Sequence, residues 1–379
     1  DLGYQSGQAP DLFETCDFLK LSSNGSLLAY EDLPGGEDYI KQFDGMLRET
    51  VNTMNGKTYT VIRKYGSTTR ALLYNKDMFK KAGIVDENGE AKPPKTYAEL
   101  REDAKKLTNA EKGKYGIIIP MKWGTFFEND IRALMQTDVG NIGYDPTTGY
   151  YDYSALKPVM EMYTGIKKDK SYFPGAETLD NDSARARFAE GDIGMKLGAS
   201  YDYGVLTSQF PAKCDWGVAP LPSLDKEPQY KQLYTLSYTP YINSALKDRV
   251  SPEATMEVMK FLNSDKIAKE QYKTGKGLPI DSSIVESTKV SSDMKNWKDF
   301  ASLTEISTIN PVSRKFDVSK YQSFSDRFIN DIWNNGKSID TLLKEYADLV
   351  NKEIDAYQEA HPEYDGKQFI LEKWDTKRK

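Results

Sequence analysis

"SARARFAEGDIGMKLGASYDYG", Ser183–Gly204, is the stretch whose reading decides the fold. It opens as a helix, and Gly191 stands where such a helix ends. Ile193, Met195 and Leu197 then alternate, which predicts a strand. The strand runs into a turn carrying Tyr201 and Tyr203. Helix, strand and aromatic turn make one step of an α/β chain, and the neighbouring sequence repeats that step.

Upstream, "APDLFET" (Ala9–Thr15), "KTYTVI" (Lys57–Ile62) and "RALLYN" (Arg70–Asn75) read as short strands. "MFKKAGI" closes a helix at Gly83. "PPKTYAELREDAKKLT" starts a helix at Thr96, with Glu99 completing a T-x-x-E capping box. Tyr97, Leu100, Ala104 and Leu107 follow at helical spacing. "YGIIIP" (Tyr115–Pro120) is a buried strand, and an aromatic loop with Trp123, Phe126 and Phe127 leads from it into a helix. Downstream come a strand in "DWGVAPLP" (Asp215–Pro222), where Trp216 is read as core, and an extended "LYTLSYTPYI" (Leu233–Ile242). A helix is capped by Ser251 with Pro252 at its first position and carries Ala254, Val258, Phe261 and Leu262 on one face. The last helix, capped by Ser338, carries Ile339, Leu342, Leu343, Tyr346 and Leu349. Strands alternating with helices predict an α/β class with mostly parallel sheets.

Composition narrows the function. A chain of 379 residues is long enough for about two domains. A net charge of −6, spread along the chain, leaves no basic footprint for nucleic acid. No apolar run approaches the roughly 18 residues that span a bilayer. The single histidine, His361, stands in the polar "EAHPEY", and there are only two cysteines, Cys16 and Cys214. Such a set supplies neither a zinc site nor a Ser-His-Asp relay, so no metal, cofactor or catalytic residue is expected. Free thiols and a disulfide both stay open for the cysteines. Twenty-five tyrosines are the one compositional oddity.

The motifs, taken in order, resemble the extracellular solute-binding proteins of ABC importers, in the sugar-binding group that includes maltose-binding protein. "SGQAPDLFE" (Ser6–Glu14) is similar to that family's Gly-x-x-Pro-Asp segment. "GKTYTVIRKYGSTTRALLYNKDMFKKAGI" (Gly56–Ile84), followed by "PPKTYAEL", resembles its most recognisable stretch. "ARFAEGDIGMKLGASYDYG" has its Phe-x-x-Gly-x-x-x-Met element, and "DWGVAPLP" and "GLPIDSSI" (Gly277–Ile284) fall in the expected order. Any one of these is weak, and five in sequence are strong.

The resemblance implies a two-lobed periplasmic-binding-protein fold, each lobe a mostly parallel sheet flanked by helices and joined by hinge strands. Lobe one would hold 1–113 plus 236–300, and lobe two 114–235 plus 301–379. It implies a monomer that captures a carbohydrate, an oligosaccharide by preference, in the interlobe cleft and delivers it to a membrane permease without catalysis. A further strand–helix–strand unit is expected ahead of Asp1. A signal sequence and, in a Gram-positive, a lipid-bearing cysteine are expected further upstream. A solute-binding protein for a non-sugar ligand and a glycoside hydrolase are the rival readings.

Aromatic faces cover the C–H face of a sugar, and carboxylates, amides and Arg satisfy its hydroxyl rim. On that logic and by the resemblance, the expected ligand-binding residues are Tyr201, Tyr203, Trp123 and Phe126, with Phe127 beside it. Glu14 and Asp17 would accept hydroxyl hydrogens. Arg70, Thr68 and Tyr238 complete the set. Thr68 departs from an acid that contacts ligand in maltose-binding protein, which speaks against a maltose-like specificity. Each has a plainer rival: core packing for the rings, capping or solvated charge for Glu14 and Asp17, an ion pair for Arg70.

Overall fold

The strand of the opening stretch forms over Ile193–Ala199, and all seven of its residues are buried. The computed structural model describes residues 2–362 and 364–378. The strand expected from the alternation of Ile193, Met195 and Leu197 is thus covered on both faces, as strands flanked by helices are.

This strand is inside a four-stranded sheet in the order Trp216–Ala219, Arg70–Asn75, Ile193–Ala199, Tyr115–Ile117. Ala199 pairs with Arg70 and Leu197 with Leu72. Met195 pairs with Ile117 on the other side. Three strands point one way, and Arg70–Asn75 runs back between two of them. The expected mostly parallel sheet is therefore corrected to a mixed one. Arg70–Asn75 enters from the edge at which its neighbours finish, so both of its ladders are antiparallel.

The helix Tyr97–Leu107 covers one side of this sheet, and Thr96 Oγ1 accepts from the Glu99 amide at 3.1 Å as the capping box requires. The Glu99 carboxylate accepts from the Lys95 amide at 2.8 Å. A Cβ on Gly116 would stand 2.0 Å from the Ala104 carbonyl oxygen, so only glycine lets this helix lie so close to its strand. The last helix, Ile339–Ala360, buries Leu342, Leu343, Tyr346, Val350 and Ile354, and Ser338 caps it.

Two compact units result. One holds residues 2–67, 236–290 and 364–368, the other 68–235, 291–362 and 369–378. Residues 364–368, expected in the second lobe, group with the first unit, and 68–113 and 291–300, expected in the first lobe, group with the second unit. The reason for the latter is the sheet: Arg70–Asn75 shares both its ladders with second-unit strands. In the smaller unit, Tyr241–Asn243 likewise runs back between Leu12–Phe13 and Leu27–Leu28. Its core gathers Tyr30, Leu33, Phe43, Val61, Ile62, Ile242, Met256 and Met259. The helix Pro252–Leu262 turns differently from expectation: Met256 and Met259 face inward, while Val258 and Phe261 are exposed.

Candidate functional site

The reversed strand assembles the site. Arg70 is the first residue of its strand and pairs with Ala199, the last of its own. The start of one strand thus meets the carboxyl ends of the others, where ligands of open α/β sheets bind. The Tyr115–Ile117 strand ends at the same edge and continues to Trp123.

Arg70 is the hub. Its guanidinium donates to Asp130 at 2.7 Å and to the Tyr201 hydroxyl at 3.1 Å, and lies 5.7 Å from the centre of the Trp123 ring. Arg70 and Asp130 are 5% and 2% exposed, so this is a buried ion pair. The hydroxyl of Tyr163 donates to the Asp130 carbonyl at 3.0 Å and fixes that backbone. Tyr201 itself is 41% exposed. The Arg185 guanidinium lies 5.2 Å from the Tyr201 ring centre. Arg185 in turn donates to Asp202 at 2.6 Å, and the second oxygen of Asp202 accepts from the Ala199 amide at 2.8 Å. A Cβ on Gly198 would come within 2.8 Å of that oxygen, so glycine admits the carboxylate there.

Lys196 lies beneath, 2% exposed, with its ammonium donating to the Leu197 carbonyl at 2.8 Å. Burial lowers the Lys196 ammonium below its ordinary range, against the pull of Asp202 and Asp130. Burial likewise raises the Asp130 carboxyl, with Arg70 and Lys196 pulling against it. The Tyr201 phenol is raised, again by burial first.

The structure brings Arg70, Trp123 and Tyr201 together and leaves the other expected residues elsewhere. Tyr203 is half-buried against Trp297, ring centres 5.3 Å apart. Phe126 and Phe127 are corrected to core: both are buried, and Phe127 stacks on Phe324 at 4.0 Å. The first turn after the loop points inward, and its aromatics go with it. Thr68 pairs with Thr235 through two backbone hydrogen bonds of 2.9 and 3.1 Å. In the smaller unit Glu14 is exposed and accepts from Arg63 at 2.7 Å. Asp17 caps the helix Phe18–Ser23, accepting from the Lys20 amide at 3.3 Å. Tyr238 is half-buried against that unit's core. Trp216 is core, as read.

Asp130, Arg185, Lys196 and Asp202 were passed over in the sequence. Lys196 had a signal, a lysine inside the apolar run "IGMKLG". The pairing partners had none, because each lies far from Arg70 along the chain. Cys16 and Cys214 are free, half-buried thiols, each pushed up to about 11 by burial. Among the described residues no three His, Cys, Asp or Glu side chains are grouped to hold a metal ion. No described helix is long and apolar enough to cross a membrane.

Each unit thus has a reversed strand inside its main sheet, and in the larger one a partly exposed ring pair lies about an anchored guanidinium at the strand ends. A solute-binding protein of Thermotoga lettingae, solved with alpha-D-tagatose, has the same fold: TM-score 0.66 over 93% of this chain and 87% of that one, at 20% identity. The chain belongs to the bacterial extracellular solute-binding protein family, whose sequence profile matches residues 3–300.

Among curated relatives, the maltotriose-binding protein of Pyrococcus abyssi is 28% identical over 228 residues, which is 59% of this chain and 44% of that protein. The sn-glycerol-3-phosphate-binding periplasmic protein of Yersinia enterocolitica is 26% identical over 238 residues, 59% of this chain and 50% of that one. The chain thus matches about half the length of these relatives.

Proposed function

We propose that this protein is the extracellular substrate-binding component of an ABC importer, capturing a carbohydrate and handing it to a membrane permease. In this reading it works as a monomer, held at the outer face of the membrane by a lipid anchor, and makes or breaks no bond. One observation carries the carbohydrate reading: Trp123 and Tyr201, both with solvent-facing area, flank a guanidinium that Asp130 holds rigid. Flat rings cover a pyranose face at low entropic cost, and an anchored Arg binds its oxygens without reorganising. The relative named for maltotriose supports the same ligand class. Against a hydrolase stands the state of the nearest carboxylates: Asp130 and Asp202 are buried and each is tied to an arginine. A glycosidase needs a pair of carboxyl groups open to the scissile bond.

Titration calorimetry of the whole chain against a panel of oligosaccharides tests the reading. Heat of binding with at least one glycan, lost in Trp123→Ala, is the expected result. Heat with peptides or polyamines and none with any sugar overturns it.

A further inference from the structure

The face around Tyr201 has an uneven supply of hydrogen-bonding groups. A guanidinium has no acceptor, so the Tyr201 oxygen accepts in its contact with Arg70. The phenol proton is thereby left for another partner: among the described residues no group accepts it, and at 41% exposure water takes it until a ligand does. Arg70 Nε is buried without a partner as well. The carboxylates nearest the face are already committed. Asp130 accepts from Arg70, and Asp202 uses one oxygen on Arg185 and the other on the Ala199 amide.

Charge is uneven in the same direction. Arg70 and Arg185 each meet one buried carboxylate, Asp130 and Asp202, and the Lys196 amine beneath them donates to the Leu197 carbonyl with no ion-pair partner of its own among the described residues. Arg185 also meets Asp182 at 2.7 Å, but that side chain is 71% exposed, where water screens it. A neutral sugar presents hydroxyls that donate as well as accept, and selectivity for it needs free acceptors. An anionic group only accepts. It would take the Tyr201 proton and offset the surplus positive charge, and a buried surplus is costly to leave unpaired.

Resting on the carbohydrate reading above, we infer that this face takes the acidic group of a charged sugar, a carboxylate or a phosphate ester, beside a ring stacked on Trp123. Selectivity then comes from donors without acceptors, and Tyr201 is the residue that sets it.

Calorimetry on the full chain with digalacturonate, glucose 6-phosphate and the neutral galactobiose tests this. An acidic probe binding about ten-fold or more tighter than galactobiose is expected, as hydrogen bonds to a charged partner outweigh neutral ones. Comparing digalacturonate with glucose 6-phosphate separates carboxylate from phosphate. Tyr201→Phe should erase most of the preference, and added salt should weaken the acidic probe more than the neutral one. Galactobiose binding as tightly as both acidic probes overturns the inference and leaves the carbohydrate reading standing. No heat with any of the three, alongside none across the oligosaccharide panel, overturns both.

Discussion

The two units treat their expected ligand-binding groups in opposite ways. In the smaller unit Glu14 and Asp17 lie exposed, one in an ion pair with Arg63 and one capping a short helix. In the larger unit Arg70, Trp123 and Tyr201 converge on a buried base of paired charges. An exposed carboxylate is held by little and screened by water. A guanidinium fixed by a buried carboxylate keeps its geometry whether or not ligand is present. Preorganisation is therefore concentrated in the larger unit, and substitutions should divide the two units accordingly.

The largest effect should come from Arg70→Ala. It strands the Asp130 carboxylate, and losing one partner of a buried pair costs about 3–5 kcal/mol. Urea unfolding should read that loss. Arg70→Met with Asp130→Leu should recover most of the stability and none of the ligand binding, and a double variant that still binds would break the comparison.

Asp103 sharpens it differently, as a buried carboxyl of the larger unit whose ion pair is long. The Lys106 ammonium is 3.9 Å away, and burial pushes the carboxyl up to about 6 against its pull. Between its unfolded value of 3.8 and about 6 the folded chain binds more protons than the unfolded one. Stability is therefore present at low pH and lost as pH rises through that window. Asp103→Asn should remove this slope and stabilise the protein at pH 7 by about 1–3 kcal/mol. An unchanged pH profile of the melting temperature would contradict the assignment.

In the smaller unit, Asp17→Ala should cost about 0.5–1 kcal/mol of stability, the usual worth of a helix cap, and leave affinity unchanged. Glu14→Gln should move stability by less than about 0.5 kcal/mol. If Glu14→Gln weakened carbohydrate binding more than Trp123→Ala, the division between the units would fail.

Much of this was legible along the chain. Thr96, Ser251 and Ser338 announce their helices because capping is local: the hydroxyl reaches an amide three residues on. Trp216 was readable as core, since it stands inside a strand. Trp123 and Tyr201 were readable as candidates because each lies in a turn that follows a strand, and Arg70 because it stands beside Thr68 in the stretch that resembles the family. Phe126 was not separable from Trp123, three residues earlier in the same loop, because which side of the loop faces the core depends on Phe328 and Tyr163. The inward face of Pro252–Leu262 was misplaced for the same reason: Val258 and Met259 are equally apolar, and only the neighbouring elements choose between them.

By itself, then, the amino-acid order determined the α/β class, the helix starts and the family, all properties of short-range pattern. Tertiary structure alone decided that one strand runs back through the larger unit's sheet, and with it that Arg70 meets Ala199, Tyr201 and Asp130. Strand direction depends on ladders between residues more than a hundred positions apart, and no local propensity encodes such a pairing.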